Sequence, residues 1–207
     1  MLNIPEYKEY GGETKIALMD NSSLAFMHEL SQRSYPSDGI LSVYDLILIP
    51  KWVMEEIEDS TYRSTYVEQL QAQGYPIRWI DETKYGTFVN DEDVNLYYIV
   101  EAAVSRVSEL MRFLRRKVKT EDLIDLPSAE EWMNRLYDEW PIHGRTLSTG
   151  RALKKNAGEI SLTILAEVFA WYHDEVDSLT IYTQDTDAHE FLSLIHIFRA
   201  HETTLHL

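Results

Sequence analysis

The sequence predicts a three-layer α/β/α fold around a central, mostly parallel sheet of four or five strands, with a helical insertion. Two observations carry this expectation. Short apolar runs alternate with longer segments of helical periodicity, which is the grammar of strands joined by right-handed crossover helices. Leu46 to Ile49 is also continuously apolar, as a strand buried on both faces requires. A chain of 207 residues, 44% hydrophobic and 26% charged, suits one domain spanning 1–207 and contains no low-complexity or linker segment.

The first run, KIALMD, ends in Asp20, and Asn21, Ser22 and Ser23 behind it predict the cap of a helix over 24–33. Residues 46–49 form the second strand, and Pro50 opens a helix near Lys51. Helical spacing resumes over 61–73, where Gly74 can terminate it, and 77–80 makes a third strand. The middle of the chain differs: one helix of about seven turns is expected over 93–118, from Leu96, Val100, Val104, Val107, Leu110 and Leu114. A second helix follows over 128–140, with Ser128 and Glu131 in capping-box register, so the insertion spans about 92–140. After a flexible Gly/Ser/Thr stretch at 144–150 come a helix over 157–173, a strand at 179–183 and a last helix from Asp187 to about Ala200; residues 203–207 are the candidate fifth strand.

The chain has no cysteine, which excludes disulfides, thiolate zinc sites and cysteine nucleophiles, so a metal must be held by oxygen or imidazole. The seven histidines share no metal-binding spacing. No run approaches the ~20 apolar residues that span a bilayer, and residues 1–10 carry no apolar segment behind a basic start, so a cytoplasmic protein without a membrane partner is expected. The net charge of −16 opposes nucleic-acid binding by the surface as a whole and demands a local basic patch. Two acid-free stretches qualify: Arg112, Arg115, Arg116, Lys117 and Lys119 in one, and Arg145, Arg151, Lys154 and Lys155 in the other. The first also reads as cations at a helix C-terminus, complementing the dipole.

In an open parallel sheet, ligands bind beyond the carboxyl ends of the strands, and several carboxylates fall there. Asp20 ends the first strand, Glu55 and Glu56 lie one turn into the helix after the second, Glu159 is in the first turn of a later helix, and Asp185 and Asp187 follow the fourth strand. Clustered carboxylates either shift their pKa values strongly or bind a cation, and hard oxygen donors suit Mg²⁺ or Mn²⁺. Phosphodiester hydrolysis by metal-activated water is the natural chemistry. Each acid has a plainer reading. Asn156 and Glu159 stand in capping-box spacing, and Glu55, Glu58 and Asp59 read as solvated helix-face charges. Asp20 and Asp185 are the hardest to explain structurally, because each follows an apolar strand that needs no acid to end it.

The order of Asp20, Glu56, Gly158-Glu159 and the Thr183-Gln184-Asp185-Thr186-Asp187 run resembles the pattern of PIN-like domains, across most of residues 15–195. The resemblance implies a metal-dependent nuclease, most often an endoribonuclease, with Asp20, Glu56, Glu159 and Asp185 as Mg²⁺ or Mn²⁺ ligands and catalytic residues and Asp187 assisting. Glu56 is preferred to Glu55 because the family's acid directly precedes an apolar residue, here Ile57. The expected partner is RNA or another single-stranded nucleic acid, bound through Arg145, Arg151, Lys154 and Lys155, and an inhibitory protein partner is a further expectation. The competing expectation is a catalytically silent PIN-like module that binds RNA or protein. A haloacid-dehalogenase phosphohydrolase is disfavoured, since Asp20-Asn21-Ser22 lacks the second acid that chemistry needs.

Overall fold

The structure, a computed structural model, describes residues 2–33, 38–89, 93–118, 126–148, 150–184 and 203–206. Its centre is a five-stranded sheet built from β1 (Lys15–Met19), β2 (Leu46–Pro50), β3 (Ile77–Ile80), β6 (Ser178–Tyr182) and β7 (Thr203–His206), in the order β3-β2-β1-β6-β7. Every pairing is parallel; Ile16 faces Leu46 on one side and Leu179 on the other. All of β2, and β1 from Ile16 to Met19, are buried, so helices cover both faces of the sheet and the three-layer α/β/α expectation holds. β7 supplies the fifth strand. No helix among the described residues is long and apolar enough to cross a membrane.

The flanking helices are α1 (Asn21–Gln32), α2 (Lys51–Glu58), α3 (Thr61–Ala72), α4 (Asp93–Ala103), α5 (Ser108–Lys117), α6 (Ala129–Asp138) and α7 (Ala157–Tyr172), with 3-10 turns at Asp38–Val43 and Glu82–Phe88. α1 begins three residues earlier than the sequence suggests because Asp20, not the 21–23 run, is its N-cap, its carboxylate accepting from Ser22 N. The single long helix expected over 93–118 is two. The chain turns at 104–107, where Val107 adopts an extended φ of −109° and caps α5. Val-Ser-Arg-Val is a weak helix-forming run, yet propensity costs only ~0.5 kcal/mol per residue. Burial decides the break, since Val104 and Leu110 are both fully enclosed.

The stretch expected to be flexible instead forms an antiparallel hairpin, β4 (His143–Thr146) with β5 (Ala152–Lys154). Leu147 and Leu153 are buried beneath it, Leu147 N donates to Arg151 O at 2.7 Å, and Gly150 supplies the positive φ of the turn. The helix expected from Asp187 to Ala200 lies outside the described residues.

One buried carboxyl ties α2 to α7. Pro50 offers α2 no side-chain cap, so the orphan N–H of Trp52 donates to Glu82 Oε1 at 2.9 Å instead. Ser161 of α7 donates to the same oxygen at 2.8 Å and shares a 2.8 Å hydrogen bond with Tyr85 OH. Glu82 is completely enclosed and its Oε2 has no hydrogen-bond partner. Burial therefore outweighs these donors and raises its pKa to about 8. A folded-state pKa above the unfolded value favours the folded protein below the unfolded pKa, and that advantage disappears as pH rises through the folded pKa. Thermal stability is expected to decline between about pH 5 and pH 8.5, by a few kcal/mol at most. Glu82→Gln should flatten that decline and melt above wild type at pH 8.5. Parallel melting curves for the two proteins across this range would show that Glu82 does not control it.

Candidate functional site

The chain runs from β1 outward through β2 to β3 and then returns to the opposite side of β1 to form β6. The carboxyl ends of β1 and β6 therefore define a topological switch point, where open α/β sheets leave a crevice for ligands. Asp20 stands there, only 6% exposed, with Asp20 N donating to Tyr182 O at 3.0 Å. Its Oδ2 accepts from Ser22 Oγ at 2.5 Å, from Ser22 N at 3.4 Å and from Thr183 Oγ1 at 3.1 Å. Gln184 N donates to Ser22 Oγ at 2.9 Å, tying the segment after β6 to the start of α1. Asp20 thus has a structural task that the sequence pattern does not announce, performed by one of its two oxygens.

The other oxygen, Oδ1, faces α7. A Cβ placed on Gly158 would stand 3.9 Å from Asp20 Oδ1, 3.8 Å from Glu56 Oε1 and 3.2 Å from Val53 Cγ2. Glycine in this first turn thus lets α7 close against α2 with two carboxylate oxygens turned to its backbone. Glu56 is positioned in a similar way, its Oε2 accepting from Asn21 Nδ2 at 3.2 Å, while Arg63 of α3 donates to the Glu56 carbonyl at 3.3 Å. Glu159 follows Gly158 in the same turn, half-buried. The capping-box reading of that residue is not realised: Asn156 takes a left-handed φ of 62° and makes no side-chain cap hydrogen bond. Two hard oxygen donors held by separate neighbours, next to a backbone without a Cβ, fit a divalent cation in donor chemistry.

The structure thus brings together Asp20, Glu56 and the Gly158-Glu159 turn. Asp185 and Asp187 lie outside the described residues, and among the described residues no group of three His, Cys, Asp or Glu side chains is disposed to hold a metal ion. The helix-face acids are not merely solvated. Glu55 accepts from Tyr137 OH and pairs with Arg151, Glu58 accepts from Leu2 N at 2.7 Å, and Asp59 holds Ser148 of the hairpin through Ser148 N at 2.9 Å and Oγ at 2.5 Å.

The expected substrate cations divide. Arg151 is engaged with Glu55 and Tyr137 OH, and Lys154 lies 5.0 Å above the Tyr137 ring and donates to Asp138 O at 3.4 Å. These two knit the hairpin to α2 and α6. Arg145 is exposed and acts electrostatically on Arg63 and Asp59, so it faces the α2–α3 corner, and Lys155 is exposed beside Asn156. Ser22, Asn21 and Gly158 acquire positioning roles that sequence reasoning had not assigned. Thr183 opened the Thr-x-Asp run, so its signal was present, but nothing in the spacing said that its hydroxyl would reach Asp20.

Fold and site together define an α/β protein with a carboxylate pair at its switch point. No family model matches this chain, and no curated protein or solved structure matches it either.

The two tasks of Asp20 are separable. Asparagine caps helices about as well as aspartate, whereas alanine costs ~1 kcal/mol. Asp20→Asn should therefore melt close to wild type and Asp20→Ala several degrees lower. Equal melting temperatures for the two variants would remove the capping role.

Proposed function

We propose that this chain is a PIN-like, metal-dependent nuclease acting on single-stranded RNA as an endoribonuclease. The observation that carries this reading is the convergence of Asp20 Oδ1 and Glu56 Oε1 on Gly158, at the switch point of a parallel sheet. Glu159, one residue further along α7, and Asp185 and Asp187 beyond β6 complete the proposed ligand set. A bound Mg²⁺ or Mn²⁺ would supply water activation near neutral pH and neutralise charge on the phosphate. The chain's own groups do the positioning. Ser22 and Thr183 hold Asp20 Oδ2, Asn21 holds Glu56 Oε2, and each restraint fixes the direction in which the second oxygen of the carboxylate points.

The alternative is a catalytically silent module that binds RNA or a protein partner. The capping duty of Asp20 favours it, since an acid at this position already has a reason to be there.

Asp20→Asn and Glu56→Gln are expected to reduce Mn²⁺-dependent cleavage of a labelled single-stranded RNA by more than the ~10–100-fold that losing an outer-shell partner costs. Undiminished cleavage in both variants would reject the nuclease reading. Titration calorimetry without any heat of Mn²⁺ binding at millimolar concentration would instead favour the silent module.

A further inference from the structure

Cations around α5 and Lys155 at the end of the hairpin, separate in sequence, meet on one surface in the fold. A cleft of about 270 Å³ is lined by Arg112, Phe113, Arg116 and Lys117 of α5, together with Glu109 and Pro141. A second, of about 530 Å³, shares Glu109 and Pro141 and continues past Arg106 to Lys155 and Asn156. Among the described residues, Glu109 is the one acid lining either cleft, against five cations. Asn156 is the N-cap of α7, two residues before Gly158, so the basic surface ends within ~7 Å of chain from the backbone on which Asp20 and Glu56 converge.

The ordinary explanation covers only part of this. Arg115, Arg116 and Lys117 occupy the last turn of α5, where cations complement the dipole. Arg106 precedes the helix, Arg112 is at its middle, and Lys155 follows the far end of β5, after α6 and the hairpin have intervened. Arg112, Arg116, Lys117 and Lys155 are not held in close ion pairs among the described residues. Arg112 lies 3.6 Å from Glu109 and Lys117 3.8 Å from Glu139, both long, solvent-exposed contacts that hold a side chain weakly, and Arg116 and Lys155 have no carboxylate within pairing distance among the described residues.

We propose that the α5 face is a single-stranded nucleic-acid track, leading the sugar-phosphate backbone across Arg112 and Arg116 to Lys155 and the start of α7. Cations in a row suit the regularly spaced charges of a phosphate backbone, and the half-buried Phe113 ring among them offers a base a stacking surface. The direction of the track toward the carboxylates rests on the nuclease reading; binding itself does not.

The test measures anisotropy of a fluorescein-labelled single-stranded RNA with the full chain in EDTA, over a range of KCl. Arg112→Glu/Arg116→Glu and, separately, Lys155→Glu should each weaken binding about tenfold or more. The slope of log K against log salt should become shallower by ~0.7 for each phosphate that the variant no longer neutralises. Arg33→Glu, whose side chain pairs with Glu29 on α1, should bind as wild type. Wild-type affinity in both groove variants overturns the track, as does an equal affinity for poly-glutamate that the same substitutions weaken equally. Asp20→Asn separates this from the nuclease reading. Groove-dependent RNA binding without Mn²⁺-dependent cleavage by wild type would leave the track standing alone, and cleavage unaffected by the groove variants would leave only the nuclease.

Discussion

The position of β1 between β2 and β6 is the constraint on which the rest depends. β1 is hydrogen-bonded on both edges and buried on both faces, so its register is set by β2 and β6 together. A one-residue slip would turn apolar side chains into the wrong layer of a sheet covered on both sides. That register brings Asp20 against Thr183 and Ser22 against Gln184 across more than 160 residues of chain. No local preference could hold those groups together. The switch point is a consequence of chain order: wherever successive strands are laid first to one side and then to the other, the helices after them diverge and leave a crevice.

Helices α2 and α7 bring the second half of the site to that switch point, and their relative placement is fixed by a shared partner. Glu82 satisfies an orphan N–H at the start of α2 and takes a hydroxyl from α7, so one side chain registers the helix bearing Glu56 against the helix bearing Gly158. A carboxyl in this position is an expensive cap when charged, and a neutral one suits a water-free interior better. The hairpin and α6 brace α2 from outside, through Trp52 stacked on Tyr137 at 4.9 Å and through Glu55 with Arg151. Glu56 thus sits on a short helix restrained on both flanks, which is what a well-placed oxygen donor requires.

Much of the fold was legible because its signals are local. Apolar runs marked β1 and β2, the cap at Ser128 and the stop at Gly74 bounded helices, and alternation of the two periodicities implied the parallel sheet. The failures share one cause, the override of local pattern by tertiary burial. The turn at 104–107 kept helical spacing in its apolar residues, and the hairpin at 143–154 looked like a loop because its apolar anchors, Leu147 and Leu153, are few. At the site, the approach of Asp20 and Glu56 to one rim could be read from sequence, because Asp20 ends one parallel strand and Glu56 lies early in the helix after another. Their partners could not: Glu82 reaching Trp52 N and Arg151 reaching Glu55 depend on rotamers and helix angles that no spacing encodes. The same limit made all four cations of the second basic stretch look equivalent, although two of them are structural.

Charge arrangement gives the acidic composition a sense that the total conceals. A net charge of −16 creates a repulsive field for any polyanion at a distance, but at physiological salt that field decays over ~8 Å. Within that range, what a ligand meets is the local lining. Among the described residues, the α5 face offers arginine and lysine with a single glutamate, while the carboxylates at the switch point lie beyond its end. On the proposed track, the acidic remainder of the surface would serve as discrimination: it would discourage attachment of a polyanion anywhere else and so direct a strand to the basic path. An overall basic protein would bind such a strand more tightly and in many more ways.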